Sequence, residues 1–290
     1  MSKAPKAIAL IDCNCIGHIC RHGMKGLTAN EMQTGVIYGF MLYILRLAKA
    51  TETSNLVFAW DSRKHKRTEV YPEYKKARID KRKALSDEEA EQLQVDFNQF
   101  RIIRTQILPE LGFVNNFVQT GYEADDIIAK IARSRNGSCH DTIVVSADQD
   151  LYQLLLPTCW IYNPLTKKHF GYIEFKATYG IEPYCWARVK AIGGCSSDGI
   201  PGVKGVGEDS AIRFMKDDLT GQRYDAIRCN AALIDKYLKL TSLPFPGMSE
   251  IVLKPNAFSY SGFRRVCDQY NLRTIYQKAK DWTDMFEKGA

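Results

Sequence analysis

The chain predicts an α/β fold: a mostly parallel twisted sheet flanked by helices with a helical arch, followed by a C-terminal helical region containing a helix-hairpin-helix. Three observations carry that expectation. Short apolar, partly β-branched runs recur at Ala7–Ile11, Leu56–Trp60 and Ile143–Val145, with helical patterns between them. Such alternation implies parallel strands joined by crossover helices. From about Glu174 the pattern changes to helices with Gly-rich connections.

Taken in order, a strand at Ala7–Asp12 precedes a long helical pattern from about Asn30 to Lys49. The strand Asn55–Asp61 follows, and then a charged segment to about Leu85. Ser86 with Glu89 three residues on forms a capping box, which opens a helix running towards Leu111 with Pro109 near its end. Phe113–Gln119 reads as a strand, Glu123–Ser134 as a helix and Asp141–Ser146 as another strand. A boundary near residue 175 separates an α/β domain, 1–175, with a basic arch at about 63–85, from a helical region, 176–290, with the helix-hairpin-helix at about 184–216. The two parts are expected to share an interface. Leu219 to Ala290 has ordinary amphipathic helical composition and is assigned no chemistry.

The 290 residues, 45% of them hydrophobic, are enough for a substantial core. The formal charge of +7 is consistent with a polyanionic partner. The longest apolar run, Val36 to Leu45, is too short to span a bilayer and reads as a buried helix. The first residues enter a strand almost at once, without a signal-peptide apolar region, so a cytoplasmic location and no membrane partner are expected. Nine scattered cysteines argue for free thiols in a reducing compartment. Cys13, Cys15 and Cys20 lie near His18 and His22, so zinc has to be weighed there. The C-x-C spacing lacks the distant second pair of a structural zinc site.

Each strand-like run stops at or just before an acid. Asp12, Asp61, Glu123, Asp125, Asp126, Asp148 and Asp150 fall where a strand ends or a helix begins. The carboxyl ends of strands in an open α/β sheet form its ligand crevice, so these acids would converge. Packed together they would repel one another severely. Divalent cations relieve that repulsion, and hard oxygen ligands select Mg²⁺ or Mn²⁺. The plainer alternative is a set of helix caps and turn formers, which accounts for any one acid but less well for four clusters at the same ends of strands.

Between Arg63 and Lys83 there are ten Lys or Arg against three acids, with Tyr71 and Tyr74 interleaved. That mixture suits phosphate neutralisation with base stacking; the competing reading is an exposed charged loop. Because the segment follows Asp61 directly, it can arch over the proposed site. The second signal, IPGVKGVGEDSAIRF from Ile200 to Phe214, carries Gly202, Gly205 and Gly207. Its glycine order is wrong for a dinucleotide loop. A helix-hairpin-helix fits, with backbone amides at a helix N-terminus holding phosphate, and a plain helix connection is the alternative.

With these residues in hand, the chain resembles the bacterial and phage 5′-3′ exonuclease and flap endonuclease family, including the 5′-nuclease domain of bacterial DNA polymerase I. The resemblance covers about Ala7 to Phe214. It rests on IALIDCN, AWDSRKHKR followed by VYPEYKKAR, GYEADD, SADQDLYQLL and SSDGIPGVKGVGEDSA, in that order. It implies that Asp12, Asp61, Glu123, Asp125 and Asp126 surround a first metal, and Asp148, Asp150 and Asp198 a second. It implies that Lys75 and Arg78 contact the scissile phosphate, that Tyr74 stacks on a terminal base, and that Arg67 and Tyr71 contact DNA within the arch. It further implies that Gly202, Lys204, Gly205 and Gly207 grip duplex DNA, with K⁺ at the hairpin.

The expected chemistry is hydrolysis of DNA at 5′ ends or flaps by water activated on two Mg²⁺ or Mn²⁺ ions, with Asp12, Asp61, Asp125, Asp148, Lys75 and Arg78 as the catalytic set. RNA–DNA hybrids are a further substrate class, the protein is expected to be a monomer, and primer removal in replication is the expected role. Two rivals are a metal-dependent RNase of related fold and a family member that binds DNA without cutting it. One departure stands out. The family pattern G-D-x-x-D-N-I-P-G is here Gly194-Cys195-Ser196-Ser197-Asp198-Gly199-Ile200-Pro201-Gly202, which places a soft thiol where an acid is expected and implies a weaker second metal.

Overall fold

A computed structural model describes residues 7–24, 26–29, 31–137 and 140–287. The chain begins with β1 (Ile8–Asp12) and α1 (Cys13–Gly23), then a short hairpin, β2 (Thr28–Ala29) and β3 (Met32–Gln33), followed by α2 (Gly35–Ala50) and β4 (Leu56–Trp60). The basic segment carries α3 (Arg67–Val70) and α4 (Lys76–Lys83). Next, α5 (Asp87–Ile102) continues through a π-helical stretch, Ile103–Ile107, into α6 (Leu108–Glu110). Then come β5 (Asn116–Val118), α7 (Ala124–Ser134), β6 (Thr142–Val145), a 3₁₀ stretch Gln149–Leu154, β7 (Cys159–Asn163) and β8 (Lys168–Phe170). Helices complete the chain: α8 (Tyr172–Tyr179), α9 (Trp186–Gly193), α10 (Glu208–Met215), α11 (Gln222–Cys229), α12 (Ala231–Thr241), α13 (Tyr260–Gln269), α14 (Arg273–Tyr276) and α15 (Ala279–Phe286).

The main sheet has the order β5-β4-β1-β6-β7-β8, parallel throughout except for the antiparallel edge strand β8. The chain winds outward from β1 to β5, then returns to the other side at β6. The direction of winding therefore reverses at the β1–β6 neighbours, where a crevice opens at the carboxyl ends. Alternate residues of the central strands enter two separate cores. Ile8, Leu10, Val57, Ala59 and Val144 face one layer, whereas Ala9, Ile11, Leu56, Phe58, Trp60, Ile143 and Val145 face the other. Burial on both faces is why these strands read as unbroken apolar runs.

Local chemistry sets the helix starts. Ser86 Oγ accepts from Glu89 N at 3.3 Å while Ser86 N donates to Glu89 at 3.0 Å, which is the expected capping box. The helix expected from about Asn30 begins at Gly35, after the hairpin. Helix α1, the β2–β3 hairpin and the β7–β8 pair had no counterpart in the sequence reading. Helix α1 holds the cysteine-rich stretch weighed as zinc-binding, and Cys13 and Cys20 turn into the core. The β7–β8 pair extends the sheet. The eight described cysteines are all free.

Residues from both sides of position 175 fill the same cores. Helix α7 shares its layer with Trp186, Val189, Ile234 and Tyr237 of α9 and α12. Past α12 the chain runs along β5, where Asn256 donates to Leu56 O at 2.9 Å and accepts from Val114 N at 3.0 Å. It then packs α13, α14 and α15, through Phe263, Trp282 and Phe286, onto the opposite layer. No helix among the described residues is long and apolar enough to cross a membrane.

Candidate active site

A cleft of about 1060 Å³ opens at the carboxyl ends of the strands, lined by Asp12, Asp61, Glu123, Asp125 and Asp148 together with Lys75 and Arg78. Asp12 ends β1 and caps α1, its Oδ1 accepting from Cys15 N at 2.9 Å and its Oδ2 from Ser146 Oγ at 2.8 Å. Asp61 follows β4; its Oδ1 accepts from Ala124 N at 2.8 Å, and its own N–H donates to Asn14 Oδ1 at 2.9 Å. Asp125 lies in the first turn of α7. Asp148 follows β6, held through Ser146 Oγ at 3.1 Å, and accepts from Asp150 N at 2.8 Å.

The acids divide by what neutralises them. Asp126 is fully buried and takes a bidentate pair from Arg67, at 2.6 and 2.7 Å, together with Phe245 N at 2.8 Å. It also closes a capping box on Glu123 N at 3.1 Å. Both oxygens of Asp126 are taken up inside the protein, so its expected role as a metal ligand is corrected: it is a structural ion pair. Arg67, expected to contact DNA, is corrected with it, being 2% exposed and also bonded to Leu240 O at 2.9 Å.

Glu123 is hemmed in by Lys75 in direct contact, by Arg67 at 3.5 Å and by the His65 ring, whose Nδ1 lies at 3.2 Å without full hydrogen-bond geometry. Burial opposes its charge, yet His65, Lys75 and Arg67 together hold the carboxyl below its ordinary range. Glu123 faces the cleft, but its negative charge is already matched.

Asp12, Asp61 and Asp125 are different. Among the described residues no Lys or Arg lies within 4.0 Å of these, nor of Asp148 or Asp150. Burial, and then Asp61, pushes the Asp12 carboxyl up to about 7. Burial, with Asp148, Asp12 and Asp61 close by, pushes Asp125 well above its ordinary value. Burial and Glu123 raise Asp61. Beside the cleft, burial, Asp148 and Asp198 push Asp150 up to about 7. Acids held this way need either protons or cations, and their hard oxygens fit Mg²⁺ or Mn²⁺.

Among the described residues, the one group whose donor atoms all lie within 4.8 Å of one another is Asp150, Cys195 and Asp198. The other acids are more widely spaced, which suits an ion that keeps several of its waters. The cysteines and histidines of α1 form no such group.

The arch residues close over this wall. Lys75, in the left-handed region at φ 55°, donates its N–H to Asp198 O at 2.8 Å and places its ammonium between Glu123 and Asp198. Arg78 reaches Ser197 O at 2.9 Å and Asp198 Oδ1 at 3.2 Å. Tyr74, expected to stack on a base, is 2% exposed, and its hydroxyl lies 2.8 Å from Glu123 Oε2 and 3.2 Å from Asp198 Oδ2. Its base-stacking role is therefore corrected: the ring lies in the core, and the hydroxyl ties the arch to two carboxylates. Tyr74→Phe is expected to lower stability by about 1–3 kcal/mol, the scale of hydrogen bonds to charged groups. A chemical melt with no change would put the ring outside, in the stacking position.

Tyr71 packs edge-on against Tyr237 at 5.9 Å with Lys236 over its ring, and also lines a groove between the arch and the glycine hairpin. In that hairpin Gly202 sits at φ +68°, and a Cβ there would meet Gly194 N at 2.4 Å. Lys204, Gly205 and Gly207 are exposed at the tip, and Gly207 caps α10. Sequence reasoning missed Asn14, Ser146 and His65, and also the far wall of the cleft, Phe97, Phe100, Arg101 and Arg104 from α5 and its continuation. Asn14 and Ser146 lie within the strand-end motifs themselves, whereas His65 and the α5 residues sit in segments whose local pattern says only "helix" or "charged", and tertiary folding brings those to the acids.

The described geometry has counterparts. Residues 7–180 match the family model "5'-3' exonuclease, N-terminal resolvase-like domain". The chain is 29% identical to thermostable DNA polymerase I of Thermus aquaticus over 215 residues, which is 72% of this chain and 24% of that protein. It is 27% identical to DNA polymerase I of Mycobacterium bovis over 263 residues, 83% of this chain and 27% of that one. The chain thus spans about a quarter of the length of these curated relatives.

Among solved structures, T5 5′-exonuclease with bound divalent metal ions (zinc) superposes with a TM-score of 0.69 at 19% identity, covering 94% of this chain and 99% of that one. A bacteriophage T5 flap endonuclease in a pseudo-enzyme-product complex with DNA and metal ions gives 0.69 at 19% identity, covering 97% and 99%. Flap endonuclease-1 from Methanococcus jannaschii gives 0.63 at 14% identity, covering 98% and 94%.

Proposed function

Because this chain belongs to the 5′-3′ exonuclease family, we propose that it hydrolyses DNA phosphodiesters near 5′ ends and at 5′ flaps, with Mg²⁺ or Mn²⁺ held by its cleft acids. The observation that carries the reading is that Asp12, Asp61, Asp125 and Asp148 line one cleft with no Lys or Arg in ion-pair contact among the described residues, and that Lys75 and Arg78 line the same cleft. Asp12, Asp61, Asp125 and Asp148 would hold one ion, with Asp150 and Asp198 at a second position. When bound, such cations supply an activated water and stabilise the attacking and leaving oxygens.

The protein's own groups do the rest. Lys75 and Arg78, now paired with Glu123 and Asp198, exchange those carboxylates for the scissile phosphate and neutralise its developing charge. Phe97 on the far side of the cleft offers a ring face to unpaired bases, and Arg101 and Arg104 offer charge to the backbone. Lys204 and the amides around Gly205 and Gly207, at the start of α10, hold phosphates of the adjacent duplex without reading sequence, with K⁺ as a further charge partner there. A monomer suffices for this arrangement, and primer removal in replication, including from RNA–DNA hybrids, is the role it serves.

The test is digestion of labelled 5′-flap, nicked duplex, RNA–DNA hybrid and RNA substrates with Mg²⁺, Mn²⁺ or EDTA. Cleavage that needs a DNA 5′ end and stops with EDTA is expected. Cleavage of RNA regardless of ends, or DNA binding without hydrolysis, would overturn the proposal.

Metal binding should also depend on pH. Asp12 and Asp150 titrate near 7 when folded, against an ordinary 3.8, so the metal-free fold holds protons that the unfolded chain has lost. Their contribution to stability is full below about pH 4 and is lost as pH rises through 7. Glu123, shifted the other way, changes only in acid. Dications replace those protons, so the rise in Tm on adding Mn²⁺ should be larger at pH 8 than at pH 6. An equal or larger rise at pH 6 would show that these acids are not the ligands.

A further inference from the structure

Asp150, Cys195 and Asp198 come from two separate segments, the 3₁₀ stretch after β6 and the loop after α9, yet their donor atoms lie within 4.8 Å of one another. Cys195 is buried and its backbone is bonded both ways to Ile200, at 2.8 and 3.0 Å, so the thiol is held where it is. Its Sγ lies 3.9 Å from Asp150 Oδ2 and 3.1 Å from Ser197 Oγ. Asp198 is oriented from outside by the Tyr74 hydroxyl and the Arg78 guanidinium. The Lys75 ammonium, 3.7 Å from Asp198 Oδ1, already pairs with this carboxylate and would move aside for a metal ion.

Bond lengths decide which cation suits the set. Tetrahedral zinc bonds of about 2.3 Å to sulfur and about 2.0 Å to oxygen put those two donors about 3.5 Å apart. The observed 3.9 Å between Cys195 and Asp150 closes to that with a shift of a few tenths of an ångström. Mg²⁺ gains nothing from the sulfur and demands near-octahedral oxygen.

The geometry points to a mixed carboxylate–thiolate site at Asp150, Cys195 and Asp198 that selects a zinc-class cation over Mg²⁺, beside an all-oxygen position formed by Asp12, Asp61, Asp125 and Asp148. This deepens the nuclease reading and rests on it for the ion's use in catalysis. The ion's selectivity belongs to the trio alone. On binding, the metal–sulfur bond forms as the thiol proton passes to solvent, and the remaining position stays open to water.

Cobalt(II) is the probe. The metal-free full-length protein is titrated with Co²⁺ while absorbance is followed in the near ultraviolet, where sulfur-to-cobalt charge transfer appears. One equivalent should produce the band, Zn²⁺ should bleach it, and excess Mg²⁺ should not. Cys195→Ser should abolish the band and weaken Zn²⁺ binding by at least about tenfold, since outer partners of metal ligands alone cost that much. Cys15→Ser, altering the thiol that lines the cleft, should retain the band.

Cys195→Asp should lose the band yet bind Mg²⁺ more tightly than the native protein, which separates a changed ligand from a misfolded variant. A saturated protein without the band, or a band that survives Cys195→Ser, overturns the proposal. Parallel flap digestion with Mg²⁺ separates the two readings, because a band without hydrolysis would keep the mixed site and discard the nuclease.

Discussion

Asp61→Asn and Asp125→Asn are each expected to lower turnover of a 5′-flap substrate by roughly 10²-fold or more, the scale of losing a group that stabilises transition-state charge. Duplex binding should survive, because the hairpin residues Lys204 to Gly207 lie on another element. The amide keeps an acceptor oxygen for Ala124 N, which now bonds Asp61 at 2.8 Å, so the local fold has no reason to change. For Asp125 a second effect follows with the opposite sign. The carboxyl is pushed well up by burial and by Asp148, Asp12 and Asp61, and replacing it removes repulsion that nothing in the metal-free protein offsets. Metal-free Asp125→Asn should therefore melt at a higher temperature at pH 8 than the parent while turning over far more slowly. Near-parental single-turnover rates in either variant would sink the assignment of this wall.

The acids at strand ends were legible because two short-range signals coincide there: an apolar run buried on both faces and the polar residue that ends it. Those signals place Asp12, Asp61 and Asp148 without any knowledge of neighbours. They do not say which of two adjacent acids faces the cleft. Asp125 and Asp126 follow one another in α7, where successive side chains are about 100° apart. Both therefore cannot serve one ion directly, and helix geometry could have shown the conflict before the structure did.

What stayed illegible depends on partners far along the chain. Arg67 stands in a run of cations whose pattern says solvent or phosphate, and only its partner 59 residues away, Asp126, makes it internal. Tyr74 is the same case, with its two carboxylate partners 49 and 124 residues away. The β7–β8 pair does carry a local signal, the largely apolar CWIYN. The last helices, α13 to α15, carry no chemistry-bearing motif, yet they supply Phe263, Trp282 and Phe286 to the core behind the sheet. Amphipathic composition alone does not tell which core a helix will cover.

The Arg67–Asp126 pair makes the corrected assignment testable. Arg67→Ala is expected to destabilise the fold by about 3–5 kcal/mol, because it leaves a fully buried carboxylate without its cation. A DNA-contacting arch arginine would instead leave the melt unchanged and weaken substrate binding with a reduced salt dependence. Asp126→Asn should act in the same direction as Arg67→Ala, since Arg67, Phe245 N and Glu123 N all converge on that carboxylate. The double variant Arg67→Met with Asp126→Leu should recover part of the loss, as it removes both charges and keeps apolar volume. Denaturant melts of the three variants decide the matter. Adjacent acids would then part company: Asp125→Asn would stabilise the metal-free protein and Asp126→Asn would destabilise it, one residue along the same helix. If both moved the melt the same way, the division between cation-matched and unmatched acids would fail, and with it the reading of which wall holds metal.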